Sequence, residues 1–73
     1  MAITKEEIQE LFTYHAPKPG QPERYENIRA AAKEFALVLI LNTSPSADQT
    51  AAIRKLRECV MTANASIALE KSS

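Results

Sequence analysis

The stretch that decides the fold is residues 22–42, PERYENIRAAAKEFALVLILN. Side chains recur along it at steps of three and four, the spacing that keeps one stripe on one side of an α-helix. Residues 35–41 are apolar on every side of such a helix, so this part needs to be covered all round. The stripe predicted to face the rest of the chain consists of Tyr25, Ile28, Ala32, Phe35, Leu39 and Asn42.

The chain has 73 residues, enough for one domain spanning residues 1–73. A domain of this size buries only about 60% of the surface of its unfolded chain, so small folds usually add disulfides, a metal or partner chains. Cys59 is the only cysteine and His15 the only histidine, which excludes an internal disulfide and a structural zinc site with four ligands. We therefore predict a homo-oligomer without metal or cofactor.

Composition narrows the class of partner. Nine basic and nine acidic residues cancel, whereas a duplex nucleic-acid binder usually has a basic excess, so we predict no DNA partner. The polar and acidic N-terminus, MAITKEEIQE, does not resemble a signal peptide. Residues 35–41 are far shorter than the roughly 20 residues of a membrane span, so no membrane partner is predicted either.

The N-terminal part predicts a short helix over residues 5–13. Thr4 and Glu7 fit a capping box at its start. Ile8, Leu11 and Phe12 are predicted to face inward, because a helix of two to three turns is not stable alone in water. Residues 14–21, YHAPKPGQ, form a loop with two prolines and a glycine.

The C-terminal half predicts a helical hairpin. Pro22 suits the first position of a helix over residues 22–42, and Pro45 interrupts the helical pattern after it. Ser46 and Gln49 form a second capping box for a helix over residues 46–69, followed by a frayed tail at 71–73. A connection this short makes the two helices antiparallel. The apolar seam of the last helix is Ile53, Leu56, Val60, Ala63 and Ile67.

The long helix carries Tyr25, Arg29 and Lys33 at successive steps of four, which places them along one stripe. A ring beside two cations suits a ligand with a base and phosphates, because the ring can stack on the base while the cations meet the phosphates. The alternative is a solvated helix face on which Arg29 pairs with Glu26. Spacing alone favours this alternative.

Tyr14 and His15 stand where the first helix meets the loop, a common kind of place for ligand contacts. Tyr14 can close over a bound base, or it can pack its ring on the hairpin with its hydroxyl in water. His15 has no second metal ligand or triad partner near it in sequence. The chain has no Gly-rich phosphate loop, nucleophile elbow, HExxH or CxxC, so we predict a binding protein and not an enzyme.

Three blocks of sequence carry a resemblance. They are FTYHAPKPGQPERYENIRAAAKEFA at 12–36, ADQTAAIRKL at 47–56 and MTANASIA at 61–68. Together they resemble the phage anti-CBASS sponge family, which shares a helical hairpin with the anti-Thoeris sponges. The blocks cover nearly the whole chain and are more specific together than apart.

The resemblance implies an all-α protein that assembles as a homohexamer in the host bacterial cytoplasm. Members bind cyclic dinucleotides such as 3′,3′-cyclic GMP–AMP, and cyclic trinucleotides at separate pockets. They hold these immune messengers without cleaving them, so that the CBASS effector is not activated. Many relatives have an arginine directly after the last block, where this chain has Leu69 and Glu70. The trinucleotide site is therefore left open.

The resemblance also assigns ligand-binding residues. A tyrosine that stacks on a base is carried over to Tyr14, and a lysine that meets a phosphate to Lys33. Tyr25 and Arg29 are the alternatives for these two roles, and His15 is included because it adjoins Tyr14. A different function also stays open: the apolar residues 35–41 suit an interaction module that inhibits a host or phage regulator.

Overall fold

Three helices in sequence order make up the fold in a computed structural model, which describes residues 2–71. They are α1 (Lys5–Leu11), α2 (Gln21–Asn42) and α3 (Ala47–Ala68). No strand occurs within this described part, so the all-α class and the helical hairpin are confirmed. Of the predicted frayed tail, Lys71 follows α3 without helical structure, and residues 72 and 73 lie outside the described residues.

The capping box predicted for α1 is confirmed. The Glu7 backbone N–H donates to the Thr4 hydroxyl oxygen at 3.1 Å, and the Thr4 backbone N–H donates to the Glu7 carboxylate at 3.4 Å. The helix ends at Leu11 and not at residue 13. Its last turn closes early because the Thr13 hydroxyl donates to the Gln9 carbonyl, a bond that competes with further helix.

Gly20 sets the entry into α2. Its φ of +83° is left-handed, a conformation that glycine adopts without the steric strain that a Cβ would bring. The helix begins at Gln21, so Pro22 is the second helical residue and not the first as predicted. The missing N–H of Pro22 is harmless there as well, because the first four N–H groups of a helix have no partner within it.

The connection between α2 and α3 forms half of the second predicted capping box. The Gln49 backbone N–H donates to the Ser46 hydroxyl oxygen at 3.0 Å. The Gln49 side-chain amide, however, donates to the Thr43 hydroxyl at 3.0 Å and does not return to Ser46. This hydrogen bond links the end of α2 to the first turn of α3 across the connection.

The seam between α2 and α3 follows the predicted spacing on α3 and departs from it on α2. All five predicted α3 residues are half-buried or buried, and Ile67 is 4% exposed. On α2, Phe35 is 52% exposed and Asn42 is exposed, so these two assignments were wrong. Ala36 is half-buried in place of Phe35, which lines a groove beside the seam. The α2 residues confirmed in the seam are Tyr25, Ile28, Ala32 and Leu39.

The prediction that α1 docks through its apolar side chains is wrong. In the described part of the chain, α2 and α3 are the only helices in contact. Ile8 and Leu11 are 50% and 52% exposed, and Phe12 is 84% exposed. Instead, α1 lies beside the segment that follows α3, where Leu11 lines a shallow cleft together with Leu69 and Lys71.

The second half of α2 keeps apolar side chains in water within one chain, although the sequence of residues 35–41 predicts that this part needs to be covered all round. Leu41 is 81% exposed, and the other large exposed side chains of this part are Phe35, Leu37, Val38 and Ile40. Within residues 2–71, none of the helices combines the length and apolar character needed to cross a membrane.

Gln21 joins the loop to the far end of α3. Only 3% of its surface is exposed, which is unusual for a polar side chain. Its amide donates to the Ile67 carbonyl at 2.8 Å, and its amide oxygen accepts from the Lys18 backbone N–H at 2.9 Å. The open end of the hairpin is therefore tied by one satisfied, buried amide.

We expect Gln21→Ala to lower the free energy of unfolding by about 1–2 kcal/mol. The Lys18 N–H loses its acceptor, and leaving a polar group without its partner is unfavourable by this amount. The Ile67 carbonyl keeps its bond from the Glu70 backbone N–H. Urea unfolding followed by circular dichroism at a fixed protein concentration measures the change. Gln9→Ala on exposed α1 is the control, with an expected change within about 0.5 kcal/mol. Equal effects of the two substitutions would contradict the prediction.

Candidate functional site

A groove with cationic walls runs along one side of the hairpin. Its volume is about 300 Å³. Arg29 and Lys33 from α2 and Arg57 from α3 supply its charged side chains. Its floor is apolar and consists of Ala32, Ala36, Ile53, Leu56, Val60 and Met61. We call this the cationic groove.

Helical spacing explains why these side chains meet. On α2, Arg29 and Lys33 are four residues apart and therefore lie on the same face. Ile53, Arg57 and Met61 repeat the same step on α3, so one face of each helix points into the groove. The antiparallel arrangement brings the two faces together and adds Arg57 to the predicted stripe.

The cations of the groove are weakly engaged within the chain. A guanidinium nitrogen of Arg29 lies 2.8 Å from the Glu26 carboxylate, but both side chains are largely exposed, and such pairs contribute little to stability. Among residues 2–71, Lys33 and Arg57 have no carboxylate within ion-pair distance. Like charges four residues apart on a helix repel each other. An anion bound between them relieves that repulsion.

The remaining predicted ligand residues lie outside the cationic groove. Tyr14 is 82% exposed and follows α1, and Tyr25 is half-buried in the hairpin seam. The Nε2 atom of His15 lies 2.8 Å from the Glu10 carbonyl, so His15 satisfies a backbone group at the end of α1. The structure thus places Arg29 and Lys33 together in the groove, whereas Tyr14, Tyr25 and His15 are not among the residues that line it within one chain.

The opposite side of the hairpin carries a groove without charged walls. It shares Ala32, Leu56 and Val60 with the cationic groove, so the two lie on either side of the same seam. Phe35 and the exposed thiol of Cys59 line it. The hairpin therefore has one side suited to anions and one suited to apolar contacts.

Two further features concern metal binding and a buried polar atom. Residues 2–71 contain no group of three or more His, Cys, Asp or Glu side chains placed to share a metal ion. The Oδ1 atom of Asn64, beside the seam, is buried without a hydrogen-bond partner in the described residues. Buried acceptors in folded proteins usually have a partner.

A second charged cluster, formed by Lys18, Arg24 and Glu70, lies at the end of the hairpin where α2 begins and α3 ends. Both terminal nitrogens of Arg24 donate to the two carboxylate oxygens of Glu70 at 2.7 Å. The Lys18 ammonium donates to the backbone carbonyl of Glu70. The hydrogen bonds from Arg24 hold the pKa of Glu70 below its usual value, and the same bonds raise the pKa of Arg24.

Residues 4–68 match a known family, described as the Acb2/Tad1 hairpin domain. The chain belongs to this family. It is the family of the anti-CBASS and anti-Thoeris sponges, which take up cyclic nucleotide messengers, so the resemblance found in the sequence is confirmed. No curated protein and no solved structure matches the chain at a significant level.

Sequence reasoning missed several residues that line the grooves of this hairpin or join its ends. The sequence does not single out Arg57 among the charged residues of α3, and its place in the same groove as Lys33 follows only from the pairing of the two helices. Gln21 and the Arg24–Glu70 pair join residues more than forty positions apart in the chain. Local spacing carries no signal for contacts of this kind.

We expect the Glu70 carboxyl to titrate below its ordinary pKa of 4.5. A carboxyl with a lowered pKa in the folded state adds stability at pH above its unfolded pKa, and this stability is lost as the pH falls through the folded value. Carboxyl-detected NMR titration of the protein measures the midpoint. Arg24→Gln removes the donor and is expected to move the midpoint of Glu70 upward. An unmoved midpoint would show that Arg24 is not the cause.

Proposed function

We propose that this protein sequesters cyclic dinucleotides such as 3′,3′-cyclic GMP–AMP in the cytoplasm of an infected bacterium. It holds the messenger intact, so that the CBASS effector is not activated. The observation that carries this proposal is the cationic groove, in which three cations surround an apolar floor. Family membership supplies the class of ligand.

The groove matches the chemistry of a cyclic dinucleotide. Such a ligand has two phosphates and two flat bases, and Lys33 and Arg57 stand on opposite walls where they can each meet a phosphate. Arg29 exchanges its exposed carboxylate partner for phosphate at little energetic cost. The base faces lie on the apolar floor, where the Met61 sulfur contacts an aromatic ring favourably.

One hairpin does not enclose this ligand. Binding sites for small molecules usually bury most of the ligand surface in volumes of about 300–1,000 Å³, and this groove is open along its length. We propose that a homohexamer completes it, with further copies covering the exposed apolar side chains of α2. Tyr14 is exposed and free to stack on a base at such a shared site.

We expect Lys33→Ala and Arg57→Ala each to weaken binding of 3′,3′-cyclic GMP–AMP by about tenfold or more, since each removes a charge-assisted hydrogen bond to a phosphate. Tyr14→Ala is expected to have a similar effect through lost stacking. Isothermal titration calorimetry measures the dissociation constants, and native mass spectrometry checks that the assembly survives.

The control for charge is Lys55→Ala, which removes a cation from α3 outside the groove and is expected to leave affinity unchanged. Recovery of intact nucleotide after denaturing the complex separates sequestration from hydrolysis. Unchanged affinity in all three groove and tyrosine variants would place the site elsewhere. Absence of binding by any cyclic di- or trinucleotide would contradict the proposed function.

We expect Leu41→Glu to dissociate the assembly. The side chain is 81% exposed in one chain, and a charge buried in an interface there is strongly unfavourable. Sedimentation velocity should show a shift toward the monomer. Thr50→Glu introduces the same group on an exposed, polar part of α3 and should leave the assembly unchanged. A wild-type protein that sediments as a monomer would contradict the proposed hexamer.

The exposed α2 surface also suits the alternative, an interaction module that inhibits a host or phage regulator. A stoichiometric complex with one such protein, combined with no response to nucleotides, would support that alternative. Cyclic trinucleotides belong in the same titrations. Their binding in the Lys33→Ala and Arg57→Ala variants would indicate a separate pocket for them.

A further inference from the structure

Asn64 on α3 carries a buried acceptor that no group of the described chain satisfies. The residue as a whole is half-buried. Its Oδ1 atom is buried and has no hydrogen-bond partner, and it is the only side-chain atom in this state among residues 2–71. An unpaired buried polar group is unfavourable, and folded proteins rarely keep one. This amide oxygen therefore calls for a donor from outside the hairpin.

A role in helix register does not account for this oxygen. A polar side chain beside an apolar seam fixes the register of two helices when it pairs with a group on the facing element. Gln21 is paired in this way, since its amide donates to the Ile67 carbonyl at 2.8 Å and accepts from the Lys18 backbone N–H at 2.9 Å. The Asn64 oxygen has no such bond, so it does not tie the two helices together.

The helical repeat places Asn64 at one end of the cationic groove. Arg57 and Met61 line the groove from α3, and Asn64 follows them at successive steps of four and three. Residues with this spacing lie on the same face of a helix. The terminal torsion of an asparagine side chain is broad, and the Asn64 oxygen has no hydrogen bond to lose. The amide can therefore turn toward a ligand in the groove.

An amide at this place has the chemistry to recognise an adenine base. Its oxygen accepts from the N6 amine of adenine while its nitrogen donates to N7, a bidentate pairing that fits both groups. The same edge of guanine or hypoxanthine presents two acceptors, N7 and O6, and would leave the amide oxygen unpaired. Adenine thus supplies the donor that the Asn64 oxygen lacks.

We propose that Asn64 is a specificity-determining residue that pairs with an adenine of a cyclic dinucleotide bound in the cationic groove. This inference rests on the proposed function and names the base that the groove selects. Lys33 and Arg57 hold the phosphates without regard to the base, and Asn64 discriminates between bases. Because the oxygen is unpaired before the ligand binds, its new hydrogen bond replaces none within the chain.

The test compares cyclic di-AMP with cyclic di-IMP, in which a carbonyl replaces the N6 amine of each base. Isothermal titration calorimetry measures both ligands with the wild type and with Asn64→Leu, whose side chain has the same branched shape without polar atoms. We expect the wild type to bind cyclic di-AMP about fivefold or more tightly, and Asn64→Leu to bind the two within about twofold of each other, because the variant lacks the hydrogen bond. Asn64→Ala adds no volume and should lose the preference as well.

Unfolding in urea without ligand separates base recognition from a structural role. The urea midpoint of Asn64→Leu should equal or exceed that of the wild type at the same protein concentration, because the substitution removes an unpaired polar atom. A clearly lower midpoint in both Asn64→Leu and Asn64→Ala would show that the amide has a structural partner and would overturn the proposal.

Asn27→Leu is the matched control. Asn27 is exposed and lines a cleft with Ile28 and Ala63, on the side of the seam that carries the groove without charged walls. This variant should keep the wild-type preference for cyclic di-AMP. Equal binding of both ligands by the wild type, or a preference that persists in both Asn64 variants, would overturn this proposal and leave sequestration intact. A wild type that binds neither ligand would overturn both.

Discussion

Two helices can cover each other along only one stripe each, and this limit governs the whole molecule. Among residues 2–71, Ile67 is the one buried apolar residue, with 4% of its surface exposed. Every other apolar side chain of the hairpin keeps part of its surface in water. Tight packing over a large area is therefore not available to stabilise the fold. The hydrogen bonds of the buried Gln21 amide therefore contribute a larger share of the stability of the fold. So does any apolar surface that further copies cover.

The same limit shapes the sites. Because the seam occupies the facing stripes of α2 and α3, the edges of those stripes become open grooves on both sides of the hairpin. One edge carries Arg29, Lys33 and Arg57, and the other carries no charged side chain. A single chain thus offers two different surfaces and encloses a ligand with neither. This is the form expected of a subunit whose binding sites lie between copies.

Sequence spacing predicted the fold where polar and apolar residues alternate clearly, and it failed where they do not. The α3 seam was correct because charged residues mark its outer face. Phe35 was misplaced because residues 35–41 are apolar throughout, so spacing alone cannot choose between Phe35 and Ala36. The inward face of α1 was wrong because the prediction assumed a surface that one short chain does not possess. In the site, spacing found Arg29 and Lys33, whereas Arg57 depended on how the helices pair.

The balance of charge has a kinetic consequence. Nine basic and nine acidic side chains cancel over the chain, while three of the basic ones meet at one groove. A phosphate-bearing solute farther away than the Debye length, about 8 Å at physiological ionic strength, feels little net attraction. Long-range steering, which speeds the encounter of strongly charged partners, is therefore weak. The affinity of such a groove for a phosphate-bearing ligand therefore depends on a slow dissociation rate and not on a fast association rate. Salt changes this affinity only by screening the few contacts between the cations and the ligand.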